Sequence, residues 1–277
     1  MSEAFSMRKY LRDLSLPFCA GCGALTVMGE FLRAVHELNY ENLSKFVFCS
    51  GIGCSSWIPS PYFKADSVHT LHGRSIPVAT GIKLLRPEAN VVVFGGDGDI
   101  VGIGLSHFIH AARRNLDVLV IMLNNMIYGM TGGQVAPTTP FKAKTATTPY
   151  GSFEYPLDAA KLAVTAGASY VARWTTAHSK ELKNAIKEAL TMQGFRFIEV
   201  TSQCPTAYGR RMGFKDAGEM VRWFQKSAVP IDKARKLGEE ELQEKIVVGK
   251  FVCKRRPTLV ETVYKMMEEA QKEVEKS

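Results

Sequence analysis

Six short runs along the 277-residue chain are rich in apolar and β-branched residues: Lys45–Cys49, Ser67–Leu71, Asn90–Phe94, Val118–Leu123, Ser169–Arg173 and Phe195–Thr201. Several are continuous aliphatic stretches rather than alternating ones. That pattern predicts strands buried on both faces, as in a parallel sheet covered by helices. Segments with helical spacing lie between them: Ala24–Leu38, Ser75–Leu85, Ile100–Arg114, Leu157–Ala166 and Ser179–Met192. Strand–helix alternation with short links predicts right-handed crossovers and a doubly wound, mainly parallel α/β sheet. Two stretches break the rhythm. Gly129–Phe153 is a long Gly-, Thr- and Pro-rich segment, and loops of that length in compact domains tend to be functional. After Cys204 come a predicted helix (Asp216–Ala228), a charged segment (Asp232–Lys245) and a last helix from about Pro257. This part reads as a C-terminal extension packing on the domain or on a partner.

Composition narrows the class. The longest aliphatic run, Val118–Leu123, is far shorter than the roughly 20 residues needed to cross a bilayer. The first ten residues lack the apolar core of a signal peptide, so a cytoplasmic protein without a membrane partner is expected. Thirty-five basic against 27 acidic residues leave a net charge of +8, which favours acidic partners. The basic clusters Arg210-Arg211 and Lys254-Arg-Arg256 lack interleaved aromatics, so no nucleic-acid partner is expected.

The strand Asn90–Phe94 runs straight into Gly95-Gly-Asp-Gly-Asp99 and an apparent helix. Ligands bind parallel α/β sheets at this end of a strand. The glycines let the backbone turn and approach a ligand, and free N–H groups at a helix start favour a diphosphate. Asp97 beside such an anion makes sense only with a cation between them. The next strand ends in Asn124-Asn125, one helix and one strand further on. A carboxylate, an amide oxygen and a carbonyl meeting diphosphate oxygens describe a Mg2+ site. The spaced pair resembles the thiamine diphosphate signature, which implies Mg2+ held by Asp97, Asn125 and the Ile127 carbonyl.

Six cysteines are present, and in a cytoplasmic chain they suggest metal ligands or core thiols before disulfides. Cys19-Ala-Gly-Cys22 alone could be a zinc half-site, a redox pair or a structural accident. No second C-x-x-C completes a zinc site. Thiolates gathered from scattered turns suit an iron–sulfur cluster. Cys54 lies in a glycine-flanked turn, and Cys204 precedes a proline, as in ferredoxin motifs. Cys49 ends an apolar strand and Cys253 has no partner spacing, so both are expected to be structural.

Phe18-Cys-Ala-Gly-Cys-Gly23, Ser50-Gly-Ile-Gly-Cys54, His72-Gly-Arg74, Gly96-Asp-Gly-Asp99, Asn124-Asn-Met-Ile-Tyr-Gly129 and Cys204-Pro-Thr206 occur in this order. Together, over about residues 17–215, they resemble the β subunit of 2-oxoacid:ferredoxin oxidoreductases. The resemblance implies a 4Fe–4S cluster on Cys19, Cys22, Cys54 and Cys204. It implies thiamine diphosphate contacts from Gly53, Ser55, Gly96, Asp97, Gly98, Asp99, Asn125, Ile127, Tyr128 and Thr131. His72 and Arg74, after a predicted strand, are the catalytic candidates, as donors to cofactor phosphate or substrate carboxylate. Thr131 and Gln134 are candidates to line the substrate pocket. Residues 1–209 are expected to form the cofactor and cluster domain, and 210–277 the extension.

Tyr128–Gln134 and Cys204–Arg210 look most like the 2-oxoglutarate enzymes. The implied reaction is oxidative decarboxylation of 2-oxoglutarate, with electrons passed through the cluster to ferredoxin and the acyl group captured by coenzyme A. The alternatives are pyruvate or branched-chain 2-oxoacids, or a non-redox thiamine-dependent decarboxylase. Trp57 departs from some relatives, in which a basic residue is common; if that basic residue helps bind substrate carboxylate, 2-oxoglutarate recognition must come from elsewhere. No glutamate carries a motif for activating the aminopyrimidine. The resemblance places that glutamate on a partner α subunit, so this chain alone is expected to be inactive. Further small subunits are expected as well.

Overall fold

The computed structural model describes residues 4–276. Eight strands form one sheet: β1 (Phe46–Ser50), β2 (Asp66–His69), β3 (Asn90–Gly96), β4 (Leu119–Asn124), β5 (Tyr170–Thr175), β6 (Arg196–Thr201), β7 (Ala228–Pro230) and β8 (Ile246–Cys253). Their order is β2-β1-β3-β4-β6-β5-β8-β7. The first six are mutually parallel, and β8 runs antiparallel to β5. The helices are α1 (Ala24–Glu37), α2 (Ser75–Leu85), α3 (Leu105–Arg113), α4 (Ala159–Thr165), α5 (Ser179–Leu190), α6 (Ala217–Ser227), α7 (Ile231–Ala234), α8 (Glu239–Leu242) and α9 (Leu259–Val274). The doubly wound, mainly parallel sheet expected from the apolar runs is therefore present.

Both faces of the central strands β1, β3, β4 and β6 are covered, which is why their middles read as apolar runs, whereas the edge strand β2 is largely exposed. On one face Phe46, Phe48, Phe94, Ile121 and Ile198 pack under α1 and α5. On the other, Val47, Val91, Val93, Val120 and Phe197 pack under α2, α3 and α4. Each fully buried side chain of this size contributes about 1.5–3 kcal/mol. Phe31 of α1 sits edge-on to Phe46, Phe48 and Phe94, which fixes α1 over the centre of the sheet.

Three local expectations need correction. The helix foreseen from Ile100 does not start as an α-helix. Residues Gly98–Ile103 form a wide π-turn, and the Gly104 N–H donates to the Asp99 carbonyl before α3 begins. Such π-turns are frequent at functional sites. The charged segment Asp232–Lys245 contains the two short helices α7 and α8. The strand β8 was not foreseen at all. It is a half-buried strand between charged flanks, and its membership of the sheet depends on pairing with β5, far away in sequence. The last helix starts as expected, with Thr258 and Glu261 closing a reciprocal cap.

The carboxyl ends of β1, β3, β4 and β6 lie side by side. The loops that follow them carry Cys54, Asp97, Asn125 and Cys204 respectively. The order in which strands are added reverses between β1 and β3, a switch point that opens a crevice.

Candidate active site

One cleft at that crevice is lined by Cys22, Gly53, Cys54, Ser55, His72, Gly96, Asp97, Gly98, Asp99, Asn125, Ile127, Tyr128, Gly129, Thr131 and Gln203, among others. All ten expected cofactor residues are in it. Asp97 is 2% exposed. Burial pushes its carboxyl up to about 7, against hydrogen bonds from Thr138 and from the Gly98 and Asp97 backbone. The charged neighbour acting on it is Glu199, of the same sign. A buried carboxylate without a cationic partner is costly, and a divalent cation would resolve it. The donor set of Asp97, Asn125 and the Ile127 carbonyl is all oxygen and suits Mg2+. These residues therefore fit the expected ion.

The paired asparagines do different jobs. Asn124 is buried. Its amide donates to Glu199 Oε1 at 2.8 Å and its oxygen accepts from the Met126 N–H at 3.1 Å. Asn125 lines the cleft, and its oxygen accepts from the Ile127 N–H at 3.2 Å. Between them Met126 has φ of 63°, a left-handed conformation unusual for its side chain. Thr139 Oγ1 holds this turn by donating to the Met126 carbonyl at 2.7 Å, and Thr138 Oγ1 donates to Asp97 Oδ2. Both threonines come from the long Gly129–Phe153 loop. The residue-by-residue reading did not single them out. The one available signal was a Thr-Thr pair held between Pro137 and Pro140.

Asp99 and His72 form a second cluster. Asp99 is 2% exposed, and its Oδ1 lies 2.6 Å from His72 Nδ1. The same oxygen accepts from the Gly73 N–H at 2.7 Å and the Ile52 N–H at 3.2 Å. Asp99 thus ties together the loops after β1, β2 and β3. With Nδ1 engaged there, His72 keeps Nε2 for another partner. Arg74 is exposed, and its guanidinium donates to the neighbouring Gly73 carbonyl at 3.4 Å. It is not among the cleft residues. Thr131 and Gln134 bond each other, with Thr131 Oγ1 donating to Gln134 Oε1 at 2.6 Å. Arg211 clasps this loop through the Gly132 carbonyl at 3.1 Å, a contact the sequence did not suggest.

The six cysteines differ in burial: Cys49 is buried, Cys22, Cys54 and Cys204 are half-buried, and Cys19 and Cys253 are exposed. Cys49 lies fully inside the sheet, and burial pushes its thiol up to about 12. Cys253 is exposed beside Met192 and Glu188. Cys19, Cys22, Cys54 and Cys204 converge at one end of the cleft. Burial pushes the Cys22 thiol up to about 11, opposed by the Ala24 backbone N–H, with Cys204, Cys54 and Cys19 adding further. Burial also raises Cys54, with Cys204 and Cys19 adding.

Glycines make this convergence possible. A Cβ on Gly23 would stand 2.2 Å from Ser202 Oγ, and one on Gly21, at φ of 74°, would stand 2.5 Å from the Ala217 Cβ. The Cys19–Gly23 turn is thereby pressed against the segment around Cys204. Among the described residues no three ligand-type side chains surround a single metal-sized point. That is compatible with a 4Fe–4S cluster, in which each cysteine binds a different iron.

Gly129 links the two halves of the cleft. A Cβ there would lie 3.5 Å from Cys204 Sγ, 4.0 Å from Cys54 Sγ and 3.7 Å from Asn125 Nδ2. Two of the converging thiols and the expected Mg2+ ligand Asn125 therefore border the same glycine.

Comparison with known proteins agrees with this geometry. Residues 51–200 match the family described as thiamine pyrophosphate enzyme, C-terminal TPP binding domain. The chain is 51% identical to the 2-oxoglutarate synthase subunit KorB of Methanocaldococcus jannaschii, over 96% of this chain and 98% of that one. It is 48% identical to the KorB subunit of Methanothermobacter marburgensis, over 94% of this chain and 92% of that one. Its fold matches a chain of the solved 2-oxoglutarate:ferredoxin oxidoreductase from Magnetococcus marinus. There the TM-score is 0.86 at 33% identity, covering 97% of this chain and 92% of that one. The chain belongs to the β-subunit family of 2-oxoglutarate synthases within the 2-oxoacid:ferredoxin oxidoreductases.

Proposed function

We propose that this chain, as the β subunit of a multi-subunit complex, catalyses the CoA-acylating oxidative decarboxylation of 2-oxoglutarate to succinyl-CoA and CO2, with electrons passing to ferredoxin. The family implies thiamine diphosphate, Mg2+ and a 4Fe–4S cluster in the assembled complex. Asp97, Asn125 and the Ile127 carbonyl hold the Mg2+, and Cys19, Cys22, Cys54 and Cys204 hold the cluster. The observation that carries this reading is the space beside Gly129, where an added Cβ would meet Asn125 Nδ2, Cys204 Sγ and Cys54 Sγ all within 4.0 Å. Bound thiamine diphosphate supplies an electron sink for the decarboxylation.

The chain's own residues bind and orient. Tyr128, donating to the Gly98 carbonyl at 3.3 Å, lines the cleft and would help bound thiamine diphosphate by fixing the Gly-Asp-Gly turn. Ser55 Oγ is buried without a partner opposite Gly96, and is available to an oxygen of the diphosphate. His72, held by Asp99, offers Nε2 to the cofactor phosphate or the substrate carboxylate. Arg74 would contribute only if a partner subunit or substrate draws it in. Thr131 and Gln134 border the substrate side.

Other subunits follow from the family. We assign the glutamate that activates the aminopyrimidine to an α subunit, and the electron acceptor is an acidic ferredoxin. Among the described residues no helix is long and apolar enough to cross a membrane. Turnover of the complete complex with 2-oxoglutarate, pyruvate and branched-chain 2-oxoacids, side by side, tests the substrate. The highest kcat/KM is expected for 2-oxoglutarate, and a preference for either other class would overturn the assignment.

A further inference from the structure

Behind the Mg2+ donor set lies a buried polar chain that none of the cofactor contacts requires. Glu199 stands on β6 between Met122 of β4 and Arg173 of β5 in the sheet register, and is 3% exposed. Its two oxygens are divided. Oε1 accepts from Asn124 Nδ2 at 2.8 Å, and Oε2 accepts from Arg173 Nε at 2.8 Å. Arg173 continues outward. Its Nη2 donates to Asp158, the cap of α4, and its Nη1 donates to the Val247 carbonyl of β8 at 3.5 Å. The Phe251 ring of β8 covers the guanidinium at 5.3 Å. The chain Asp158–Arg173–Glu199–Asn124 thus runs from the late strand β8 to the turn that carries Asn125 and Ile127.

We propose that Glu199 is a positioning residue for the Mg2+–diphosphate turn, and that Arg173 and Asp158 hold it in place from α4 and β8. This rests on the reading that Asp97, Asn125 and the Ile127 carbonyl hold the ion. Glu199 can only accept, so it fixes which end of the Asn124 amide faces it. The Asn124 oxygen is therefore turned to the Met126 N–H. That contact steadies Met126 at its left-handed φ and aims the Ile127 carbonyl. Buried ion pairs rarely persist for stability alone, because desolvation offsets their attraction. Here the pair orients a ligand-bearing turn, a service that partners behind metal ligands perform elsewhere. The charge of Glu199, close enough to Asp97 to raise its carboxyl, adds to the attraction for a cation.

The test uses the assembled complex, stripped of thiamine diphosphate and Mg2+. Calorimetry reads thiamine diphosphate binding at graded Mg2+ for wild type, Glu199→Gln, Glu199→Asp and Asp97→Asn, with iron content and Tm measured alongside. Glu199→Gln is expected to raise the half-saturating Mg2+ concentration roughly tenfold to a hundredfold, with iron content unchanged. Glu199→Asp keeps the charge and shortens the reach, and is expected to weaken Mg2+ in the same direction. It serves if the glutamine variant fails to fold. A purely structural role would lower Tm in both variants without moving the Mg2+ requirement, and would overturn the proposal. Wild-type Mg2+ dependence in the Glu199 variants, with loss in Asp97→Asn, overturns the proposal and leaves the Mg2+ site standing. Wild-type behaviour in Asp97→Asn overturns the Mg2+ site itself and the proposal with it.

Discussion

The ring of Tyr128 occupies the space where Gly98 would carry a side chain. A Cβ on Gly98 would stand 2.1 Å from Tyr128 Cε1, closer than real contacts allow. The second glycine of the Gly-Asp-Gly turn is thus demanded by a tyrosine from the neighbouring strand's loop. Gly98→Ala is expected to expel the ring and destabilise the chain by about 1–3 kcal/mol, the usual cost of overpacking. Tyr128→Ala in the same chain should recover much of that loss. Thermal unfolding of both single variants and the double variant checks it, and additive losses would rule out the contact as the cause.

The buried Asp97 makes cofactor binding depend on pH. Its carboxyl is raised by burial to about 7 from an ordinary 3.8. In the cofactor-free chain, the stability contributed by this group is present below pH 3.8 and is lost as pH climbs to about 7. Mg2+ needs the carboxylate, so its affinity runs the other way. It should fall as pH drops below about 7, approaching tenfold per pH unit. Asp97→Asn should abolish Mg2+-dependent thiamine diphosphate binding and make the cofactor-free chain more stable than wild type above pH 7. Calorimetric titration and unfolding curves at several pH values test both directions.

Iron should follow the four converging thiols. Serine at Cys19, Cys22, Cys54 or Cys204 is expected to cost most of the iron per complex and the absorbance near 400 nm. Serine at Cys49 or Cys253 should leave both intact. A cluster carried by another subunit predicts full iron in all six variants, so iron analysis of the purified complex decides the placement.

Asp99 is expected to act chiefly as a tie between loops. Its Oδ1 satisfies His72, Gly73 and Ile52 together. Asp99→Ala leaves two backbone N–H groups and an imidazole without their acceptor, each costing about 1–3 kcal/mol when buried. The variant should unfold at a clearly lower temperature and lose thiamine diphosphate affinity as the cleft loosens. Unchanged Tm would mean these bonds carry little of the structure. Arg74→Ala should leave stability within about 0.5 kcal/mol, as surface changes usually do.

Local pattern carried the centre of the sheet. Phe46–Ser50, Asn90–Gly96 and Leu119–Asn124 are buried on both faces along their central positions, so those positions form unbroken apolar runs readable without context. The Gly-Asp-Gly turn, the paired asparagines and the cysteine turns were legible because each needs particular residue types at adjacent positions. Strand β8 was hidden because a half-buried strand needs only some apolar residues, and its partner lies far back in the chain. The start of the helix after Asp99 was misplaced because helical periodicity does not distinguish a π-turn from an α-turn over one turn. The contacts of Thr138, Arg173, Glu199 and Arg211 are not legible in the sequence, because each is an ordinary residue locally and its partner comes from a distant segment.

By itself the sequence determined the fold class and the strand ends that carry the glycine turn, the paired asparagines and the cysteine turns. Those follow from burial periodicity and from turns whose chemistry is local. Only the tertiary structure decided that Asp97 is a buried carboxylate in need of a cation. The same holds for Gly98 yielding its space to Tyr128, for Glu199 and the Met126 N–H taking the two ends of the Asn124 amide, and for Asn125, Cys54 and Cys204 gathering around Gly129. These depend on distances between segments far apart in the chain, which no periodicity encodes. They are set when the carboxyl ends of β1, β3, β4 and β6 are brought side by side.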